Sequence, residues 1–302
     1  MRMRRLRISA ISYLNTAPLM WDFEHGGPDH QRTREEAVRD FDISYTLPTS
    51  CARALAEGTA DIGIIPAAAY AASAARDESA LQILPEVAIA SRRAVRSILL
   101  VSKVPTENIR TIALDTSSMT SVALTKILFE KWLGGKRTYT TMAPNLEQML
   151  SEHDAGLLIG DPALQVDRTR YHTLDLAEEW IRHTGKPFVF AFWAVRSAAV
   201  LEAAPSLDLP AVFQNSRDHG LEPSSLNQMA REWAPRLDLS QSDIKSYLTQ
   251  NIHYHLDAGC LEGLRLFYRS GAEIGVLPAA PELRFVSSTL PAAVPATKAV
   301  SI

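Results

Sequence analysis

Short apolar runs alternate with amphipathic stretches along the first two-thirds of the chain. The runs predict strands at residues 7–12, 42–46, 61–65, 95–102, 111–115, 155–160 and 187–195. The stretches between them predict helices that open at Pro18, Pro48 and Pro66, the second of which ends at Gly58. Repeated strand–helix units are typical of a parallel sheet covered on both faces.

The clearest helix is predicted over residues 116–133. Leu124, Ile127, Leu128 and Trp132 fall on one apolar face, and Gly134-Gly135 follows as a stop signal. After residue 195 the pattern becomes mainly helical, with helices predicted over 224–237, 240–254 and 257–270.

These elements predict an α/β protein with two lobes and a ligand cleft between them. Residues 1–97 and 196–285 form lobe one, residues 98–195 form lobe two, and 286–302 form a loose C-terminal tail. Two strands, near 97–102 and 188–195, are expected to cross between the lobes. Because ligands bind preferentially between domains, the cleft is the expected site.

Composition narrows the range of partners. Lys and Arg number 31 against 34 Asp and Glu, so a nucleic-acid or anionic-membrane partner is not indicated. Ser9 and Ser12 interrupt the run after the N-terminal arginines, so no signal-peptide core is present, and no apolar run of ~18 residues predicts a membrane span. With two cysteines in the whole chain, we expect a cytoplasmic protein, either a monomer or a homodimer.

The common catalytic motifs are missing. The sequence has no GxSxG, P-loop, GxGxxG or HExxH pattern. His253 and His255 are two residues apart, and this spacing places them on different faces of a helix. We therefore predict no metal site.

Polar loops at the predicted strand ends remain as candidates, since ligands of open α/β sheets bind there. The largest group lies at a helix start after Asp115, where several hydroxyls and free N–H groups favour an anion such as a carboxylate. The alternatives are an Asx turn, an ordinary N-cap or a strand-to-helix turn. The candidates are Ser12, Tyr13, Asn15, Thr16, Thr49, Ser50, Ser91, Thr116, Ser117, Ser118, Thr120, Ser121, Gly160 and Asp161.

Several of these stretches resemble one family. SYLNTAPL at 12–19, ADIGIIP at 60–66, LDTSSMTS at 114–121, LIGD at 158–161 and the segment from 175 to 193 are similar to the chorismate dehydratases of the futalosine route to menaquinone. The similarity runs from about residue 8 to 195. The related lyase of that route opens with a Ser-Pro-Cys-Pro-Asn-Asp type of motif, which this chain lacks.

The resemblance implies a periplasmic-binding-protein type II fold that dehydrates chorismate to 3-[(1-carboxyvinyl)oxy]benzoate without a cofactor. Asn15 and Ser91 are expected to position the enolpyruvyl carboxylate and the leaving hydroxyl, and the other loop residues to bind substrate. The general base stays open among Asp115, Asp161 and the substrate's own enolpyruvyl carboxylate.

Two alternatives remain at this stage. The same fold also serves non-catalytic proteins that bind or sense small carboxylates, because fold does not fix function. A lyase of the same fold acting on another menaquinone precursor is the second. Cys51 lies at a helix start, where its pKa could be lowered, although a buried packing role is the commoner one.

Overall fold

The computed structural model describes residues 4–26, 40–203 and 207–287, which form two five-stranded sheets with helices packed against them. The predicted tail, 286–302, lies outside the described residues from 288 onward. The strands are β1 Leu6–Ile11, β2 Phe41–Thr46, β3 Ile62–Pro66, β4 Leu81–Ser91, β5 Ile98–Ser102, β6 Thr111–Asp115, β7 Thr138–Met142, β8 Ala155–Ile159, β9 His172–Asp175 and β10 Phe188–Arg196.

Both sheets are mixed, and the expectation of parallel sheets is wrong for two strands. The first sheet has the order β2-β1-β3-β10-β4, in which β10 runs antiparallel to both of its neighbours. The second has the order β7-β6-β8-β5-β9, in which β5 is antiparallel to β8 and β9. Each reversed strand is the first one that the chain forms after it passes from one sheet to the other.

The chain crosses between the two sheets in loops, and neither of the strands expected to cross between the lobes does so. β5 finds its partners only in the second sheet, and β10 only in the first. The chain therefore passes to the second sheet at residues 92–97 and returns to the first sheet before Phe188. The strand predicted at 187–195, which was expected to end lobe two, thus belongs to the first sheet as β10. Asp175 fixes the first passage, since its carboxylate accepts hydrogen bonds from the N–H groups of Val95 (3.1 Å) and Arg96 (2.7 Å).

The helices cover these sheets. A 3-10 helix, Leu14–Met20, begins before the predicted start at Pro18 and leads into α1. The α-helices are α1 Trp21–His25, α2 Pro48–Ala56, α3 Ala67–Ala74, α4 Thr120–Lys131, α5 Leu146–Glu152, α6 Asp161–Leu164, α7 Leu176–Thr184, α8 Ser197–Ala203, α9 Leu209–Gly220, α10 Pro223–Leu237, α11 Gln241–Ser246 and α12 Ala258–Glu273. The helix predicted over 240–254 divides into α11 and a π-helical turn, Tyr247–Asn251.

The hydrophobic core follows the sequence pattern. On α4, the predicted apolar positions Leu124, Ile127 and Leu128 are fully buried. Every residue of β3 is buried, as expected for a strand inside a covered sheet. One continuous cluster fills the first lobe and the space below α4, and a smaller cluster around Met149 covers the other face of the second sheet. The two sheets are thus held as rigid supports for the loops between them.

Candidate active site

A small cavity lies between the two lobes, at the ends of β1, β3, β8 and the start of α4. Its volume is ≈ 50 Å³, far below the ~300 Å³ at the lower end of small-molecule sites, so the lobes stand closed on each other. None of the lining residues is Lys or Arg, so a bound anion would meet neutral donors. The lining residues are Ile11, Tyr13, Asn15, Pro48, Pro66, Ile89, Ile98, Ser118, Met119, Thr120, Ser121, Ile159, Gly160, Phe190 and Ala191.

Hydrogen bonds join the lobes around the cavity. The N–H of Leu14 donates to Asp161 Oδ1 over 3.0 Å. Thr120 Oγ1 accepts from the N–H of Ala68 (3.1 Å) and donates to the carbonyl of Phe190 (3.0 Å). Opening the cleft for a ligand therefore requires these hydrogen bonds to break.

The lobes are also in close contact at Gly160, where the ring of Tyr13 packs against the backbone. This residue has φ +64° and ψ −143°, a conformation that is open almost only to glycine. A Cβ atom at this position would lie 2.5 Å from the ring of Tyr13. Glycine is therefore required here both by the backbone and by the tyrosine ring from the other lobe.

Asn15 lies in the cavity wall with its amide held by neighbours. The side chain is buried, and Thr16 Oγ1 donates to Asn15 Oδ1 over 3.3 Å. The hydroxyl of Tyr247 donates to Ser97 Oγ over 2.8 Å, and the Asn15 amide opposes the rise that burial causes in the pKa of Tyr247. Tyr247 and Ser97 were not predicted, because Tyr247 occupies an ordinary apolar position of a predicted helix and approaches Asn15 only through the tertiary fold.

Tyr13 in the cavity wall is followed by a buried pair, Ser117 and Asp115. Ser117 Oγ donates to Asp115 Oδ1 over 2.7 Å, and the Ser117 hydroxyl opposes the effect of burial on the pKa of Tyr13. Burial raises the pKa of both Tyr13 and Asp115, and the other carboxylate oxygen of Asp115 is buried without a partner. Asp115 is not among the lining residues, and it is therefore poorly placed to take a proton directly from a ligand in the cavity.

Asp161, like Asp115, is not a lining residue, but it directly follows the lining residue Gly160 and accepts the interlobe hydrogen bond from Leu14. Burial raises its pKa to about 6, although the hydrogen bond from Leu14 opposes the shift. A carboxyl group with a pKa in this range can exchange a proton near neutral pH.

The hydroxyls predicted for anion binding differ in their surroundings. Ser118, Thr120 and Ser121 line the cavity, with Ser118 Oγ also accepting from the N–H of Ser121. Thr120 and Ser117 also bond to other parts of the protein, and Thr116 is exposed and does not line the cavity. The excess of hydroxyls at the start of α4 therefore has a largely structural explanation.

Five further candidates do not line the cavity: Ser12, Thr16, Thr49, Ser50 and Ser91. Ser91 is fully buried at the end of β4, where its hydroxyl donates to the carbonyls of Arg93 (2.6 Å) and Asn251 (2.8 Å). This placement does not support the expected catalytic role, because the side chain faces a turn and the C-terminal helices. Ser12 is exposed, and Thr49 and Ser50 at the start of α2 do not line the cavity.

A possible cation cluster outside the cleft has a simpler explanation. Within the described ranges, one group of potential ligands, His253, Asp257 and Cys260, has its ligand atoms within 4.8 Å of one another. Asp257 caps α12 through the N–H of Cys260 and pairs with both His253 (2.6 Å) and Arg92 (2.5 Å). An arginine on the carboxylate competes with a metal ion, so we assign the cluster to helix capping.

The helices were also compared with the requirements of a membrane-spanning segment. In the part of the chain that the structure describes, none of the helices combines the length and the apolar character needed to span a bilayer.

Comparison with solved structures defines the fold. The periplasmic aliphatic sulphonate-binding protein of Escherichia coli aligns with a TM-score of 0.64 at 15% identity, over 92% of this chain and 95% of that one. An Archaeoglobus fulgidus protein of known crystal structure gives 0.64 at 16% identity, over 90% and 98%. The alkanesulfonate-binding protein of Xanthomonas axonopodis, bound to MOPS, gives 0.66 at 15%, over 92% and 95%. The chain therefore has a two-lobed periplasmic-binding-protein-like fold, as predicted.

Comparison of sequences is more specific. The menaquinone biosynthesis family matches residues 6–273. The chorismate dehydratase of Thermus thermophilus is 30% identical over 286 residues, which cover 89% of this chain and 94% of that protein. The chain belongs to the menaquinone biosynthesis family, and the resemblance predicted from the SYLNT and LDTSS stretches is confirmed.

Proposed function

We propose that this protein is a hydro-lyase that removes water from chorismate and forms 3-[(1-carboxyvinyl)oxy]benzoate on the route to menaquinone. The observation that carries the proposal is the near full-length similarity to a chorismate dehydratase. The cavity supports it, because an interlobe site with neutral hydroxyl and amide donors suits a small dicarboxylate. The site residues and mechanism below are parts of the same proposal.

The chemistry requires loss of the C3 proton and the C4 hydroxyl of the ring. The C3–H bond is activated through the C1–C2 double bond by the ring carboxylate, so its deprotonation gives an extended enolate. That electron pair then forms the C3–C4 double bond as the C4–O bond breaks and hydroxide leaves, and the ring becomes aromatic; the C3 proton and the hydroxide together make the water that is lost. Donors at the ring carboxylate stabilise the enolate, and Ser118 and Ser121 supply hydroxyls in the cavity wall.

We assign the proton transfer to the substrate's enolpyruvyl carboxylate, which lies within the same molecule as the C3–H bond. The protein then needs only to hold the enolpyruvyl arm over C3, and a well-oriented intramolecular base is strongly favoured. Asn15 is the residue that we assign to hold this arm, because its buried amide lines the cavity. The carboxyl of Asp161 is the competing base, whereas Asp115 does not line the cavity and its Oδ1 accepts a hydrogen bond from Ser117.

Closure of the cleft would enclose the substrate during the reaction. A cavity of ≈ 50 Å³ admits little more than water, so the lobes must part to take in substrate and close again around it. Exclusion of water keeps the enolpyruvyl arm in one position and suppresses competing eliminations. Small-angle scattering should show a smaller radius of gyration when chorismate is added to protein in its open form.

We also propose that the enzyme works in the cytoplasm, without a cofactor, as a monomer or homodimer. Activity after dialysis against a chelator and after gel filtration tests the cofactor requirement. Light scattering on the eluted peak gives the mass of the active species.

The first experiment is incubation of the purified protein with chorismate, followed by mass-resolved chromatography. Appearance of a product lighter by one water supports the proposal. Asn15→Ala should abolish turnover while the fold is kept, whereas Asn227→Ala, an exposed asparagine on α10, should leave it unchanged. Equal rates for the wild type and Asn15→Ala would remove Asn15 from the mechanism.

The pH dependence separates the two candidate bases. A rate that follows ionisation of a group with pKa about 6, and that Asp161→Asn abolishes, would assign the base to Asp161 instead of the substrate. Thermal stabilisation by chorismate without any turnover would favour the non-catalytic binding function.

A further inference from the structure

A second cavity, larger than the interlobe one, lies on the first lobe between α2 and α3. Its volume is ≈ 700 Å³, within the range of ~300–1,000 Å³ that is typical of small-molecule sites. One face of each helix forms its walls, because residues three, four and seven positions apart share a helix face. The wall residues include Thr49, Ala52 and Arg53 from α2, and Ala69, Ala72 and Arg76 from α3 and the turn that follows it. We call this space the α2–α3 groove.

The α2–α3 groove lies directly beside the interlobe cavity. Met119, the residue before α4, lines both spaces. At the start of α2, Pro48 lines the cavity and Thr49 lines the groove. At the end of β3, Ile65 lines the groove and Pro66 lines the cavity. A ligand that leaves the groove at Met119 therefore arrives at the cavity.

The charge of the groove is mainly positive. Its lining contains the three arginines Arg53, Arg76 and Arg196 and a single acid, Asp77, whose Oδ1 already accepts two hydrogen bonds within its own turn. Arg196 is partly neutralised, because its Nη1 lies 3.7 Å from Asp61 Oδ1. Among the residues that the structure describes, the exposed side chains of Arg53 and Arg76 have neither an ion pair nor a hydrogen bond. Two guanidinium groups are therefore available to an anion in the groove.

The groove supplies the positive charge that the cavity lacks. The cavity wall contains no Lys or Arg, and the whole chain has a formal net charge of −3. Neutral donors bind a carboxylate at short range, but they attract an anion from solution only weakly. A groove lined by charge of one sign raises the local concentration of the opposite ion and its rate of association.

We propose that the α2–α3 groove is a capture site for an organic dianion, held by Arg53 and Arg76 while the lobes are open and passed to the cavity beside Met119. Thr49, which the sequence suggested for substrate binding, contributes a hydroxyl to this site and not to the cavity. The identity of the dianion as the substrate rests on the proposed function. The affinity of the groove for a dianion does not, and it can be measured separately.

The first experiment compares the steady-state kinetics of Arg53→Gln, Arg76→Gln and the double variant with chorismate as substrate. At about 20 mM salt, each single variant should have kcat/KM lower by about threefold to tenfold, and the double variant by more. The change should fall on KM, with kcat within about twofold, because the groove does not contact the reacting atoms. At about 0.5 M salt the differences should shrink below about twofold, because salt screens the attraction.

Arg231→Gln is the matched control for charge. Arg231 is exposed on α10 and does not line the groove. Its kcat/KM should equal that of the wild type at both salt concentrations. A double variant within about twofold of the wild type at low salt, an equal fall in Arg231→Gln, or a fall in kcat at unchanged KM would overturn the proposal.

Ala72→Phe separates binding in the groove from a general effect of positive charge. Ala72 lines the groove, so a phenyl ring at this position occupies it and leaves all three arginines in place. Its kcat/KM should fall by about threefold or more at both salt concentrations. Ala75→Phe is the control, because Ala75 is exposed after α3 and does not line the groove. If Ala72→Phe is folded in thermal unfolding and has the kcat/KM of the wild type, the dianion is not held in the groove.

An unreactive probe distinguishes failure of this proposal from failure of the proposed function. Benzene-1,3-dicarboxylate is titrated calorimetrically into the wild type, Arg231→Gln and the Arg53→Gln, Arg76→Gln double variant at about 20 mM salt. Equal affinity in the first two proteins, with at least about fivefold weaker binding in the double variant, supports the capture site even if the wild type does not dehydrate chorismate. Equal affinity in all three proteins, or no binding to any of them, would overturn it.

Discussion

Replacement of Asp161 by Asn tests how strongly burial acts on the carboxyl group that joins the lobes. The amide oxygen of Asn can still accept the hydrogen bond from the Leu14 N–H, which is 3.0 Å long, so the substitution removes charge and little else. In the folded protein, burial raises the pKa of Asp161 from its ordinary value of 3.8 to about 6. A shift of about two units corresponds to about 3 kcal/mol, and some solvent contact at this half-buried group reduces the effect to between about 1.5 and 3 kcal/mol.

The direction of the pH dependence follows from this shift. Between about pH 4 and 6 the folded protein holds a proton on Asp161 that the unfolded chain releases, so stability falls as the pH rises through this interval. Above it the full penalty of the buried charge is present. Asp161→Asn should therefore be more stable than the wild type at pH 7.5, with Tm higher by about 3–12 °C. At pH 4 the free energies of unfolding of the variant and the wild type should differ by less than about 1 kcal/mol.

Calorimetric unfolding of both proteins from pH 4 to pH 8 gives the measurement. Asp167→Asn is the control, because Asp167 is exposed and its pKa is lowered by hydrogen bonds from Thr169. From pH 4 to pH 8 its stability relative to the wild type should stay nearly constant, because the advantage of the wild type is lost mainly below about pH 4. A difference between the wild type and Asp161→Asn that is constant with pH, or largest in acid, would refute the reasoning.

Three further predictions concern other parts of the structure. Gly160→Ala should lower the free energy of unfolding in urea by about 1–3 kcal/mol. The loss should exceed that of Gly185→Ala, whose added Cβ meets no atom within 4 Å. Equal losses would contradict the contact with Tyr13. Burial raises the pKa of Cys51 to about 11 and of Cys260 to about 12, so a thiol reagent at pH 8 should label both only after denaturation, and rapid labelling of the native protein would disagree. Asp61→Asn should lower the free energy of unfolding by about 3–5 kcal/mol, because its fully buried side chain pairs with Arg4 and Arg7. Asp42→Asn breaks an exposed pair with Arg5 and should lower it by less than about 1 kcal/mol. Similar losses in the two variants would show that burial does not decide the strength of these pairs.

The sequence pattern predicts the elements whose neighbours are close in the chain. β1, β3, β6 and β8 are short apolar runs, and the apolar face of α4 is buried as its spacing requires. β4 escapes prediction because Pro85 and Glu86 interrupt its apolar pattern, and Glu86 adopts φ +66° at an irregularity of the strand. β7 and β9 are edge strands with too few apolar residues to stand out.

The same distinction applies to the site. Tyr13, Asn15, Ser118, Ser121 and Gly160 could be proposed because polar residues at strand ends and helix starts are a local signal. The surroundings of Ser91 and Ser97 depend on hydrogen bonds with Asn251 and Tyr247, which follow 150 or more positions later. No local pattern records such a contact, so the structural role of Ser91 and the position of Tyr247 emerge only from the fold.

The position of β10 in the chain also determines which of the two sheets can form first during synthesis. The strands of the second sheet are contiguous in the chain, from Ile98 to Asp175, so that sheet can form as soon as its last strand leaves the ribosome. The first sheet is interrupted, because β3 and β4 do not meet until β10, ending at Arg196, enters between them. Until then both strands have open hydrogen-bonding edges in the nascent chain, a state prone to aggregation. The lobe that is synthesised first is therefore the one completed last, and it is the one that a chaperone would have most reason to protect.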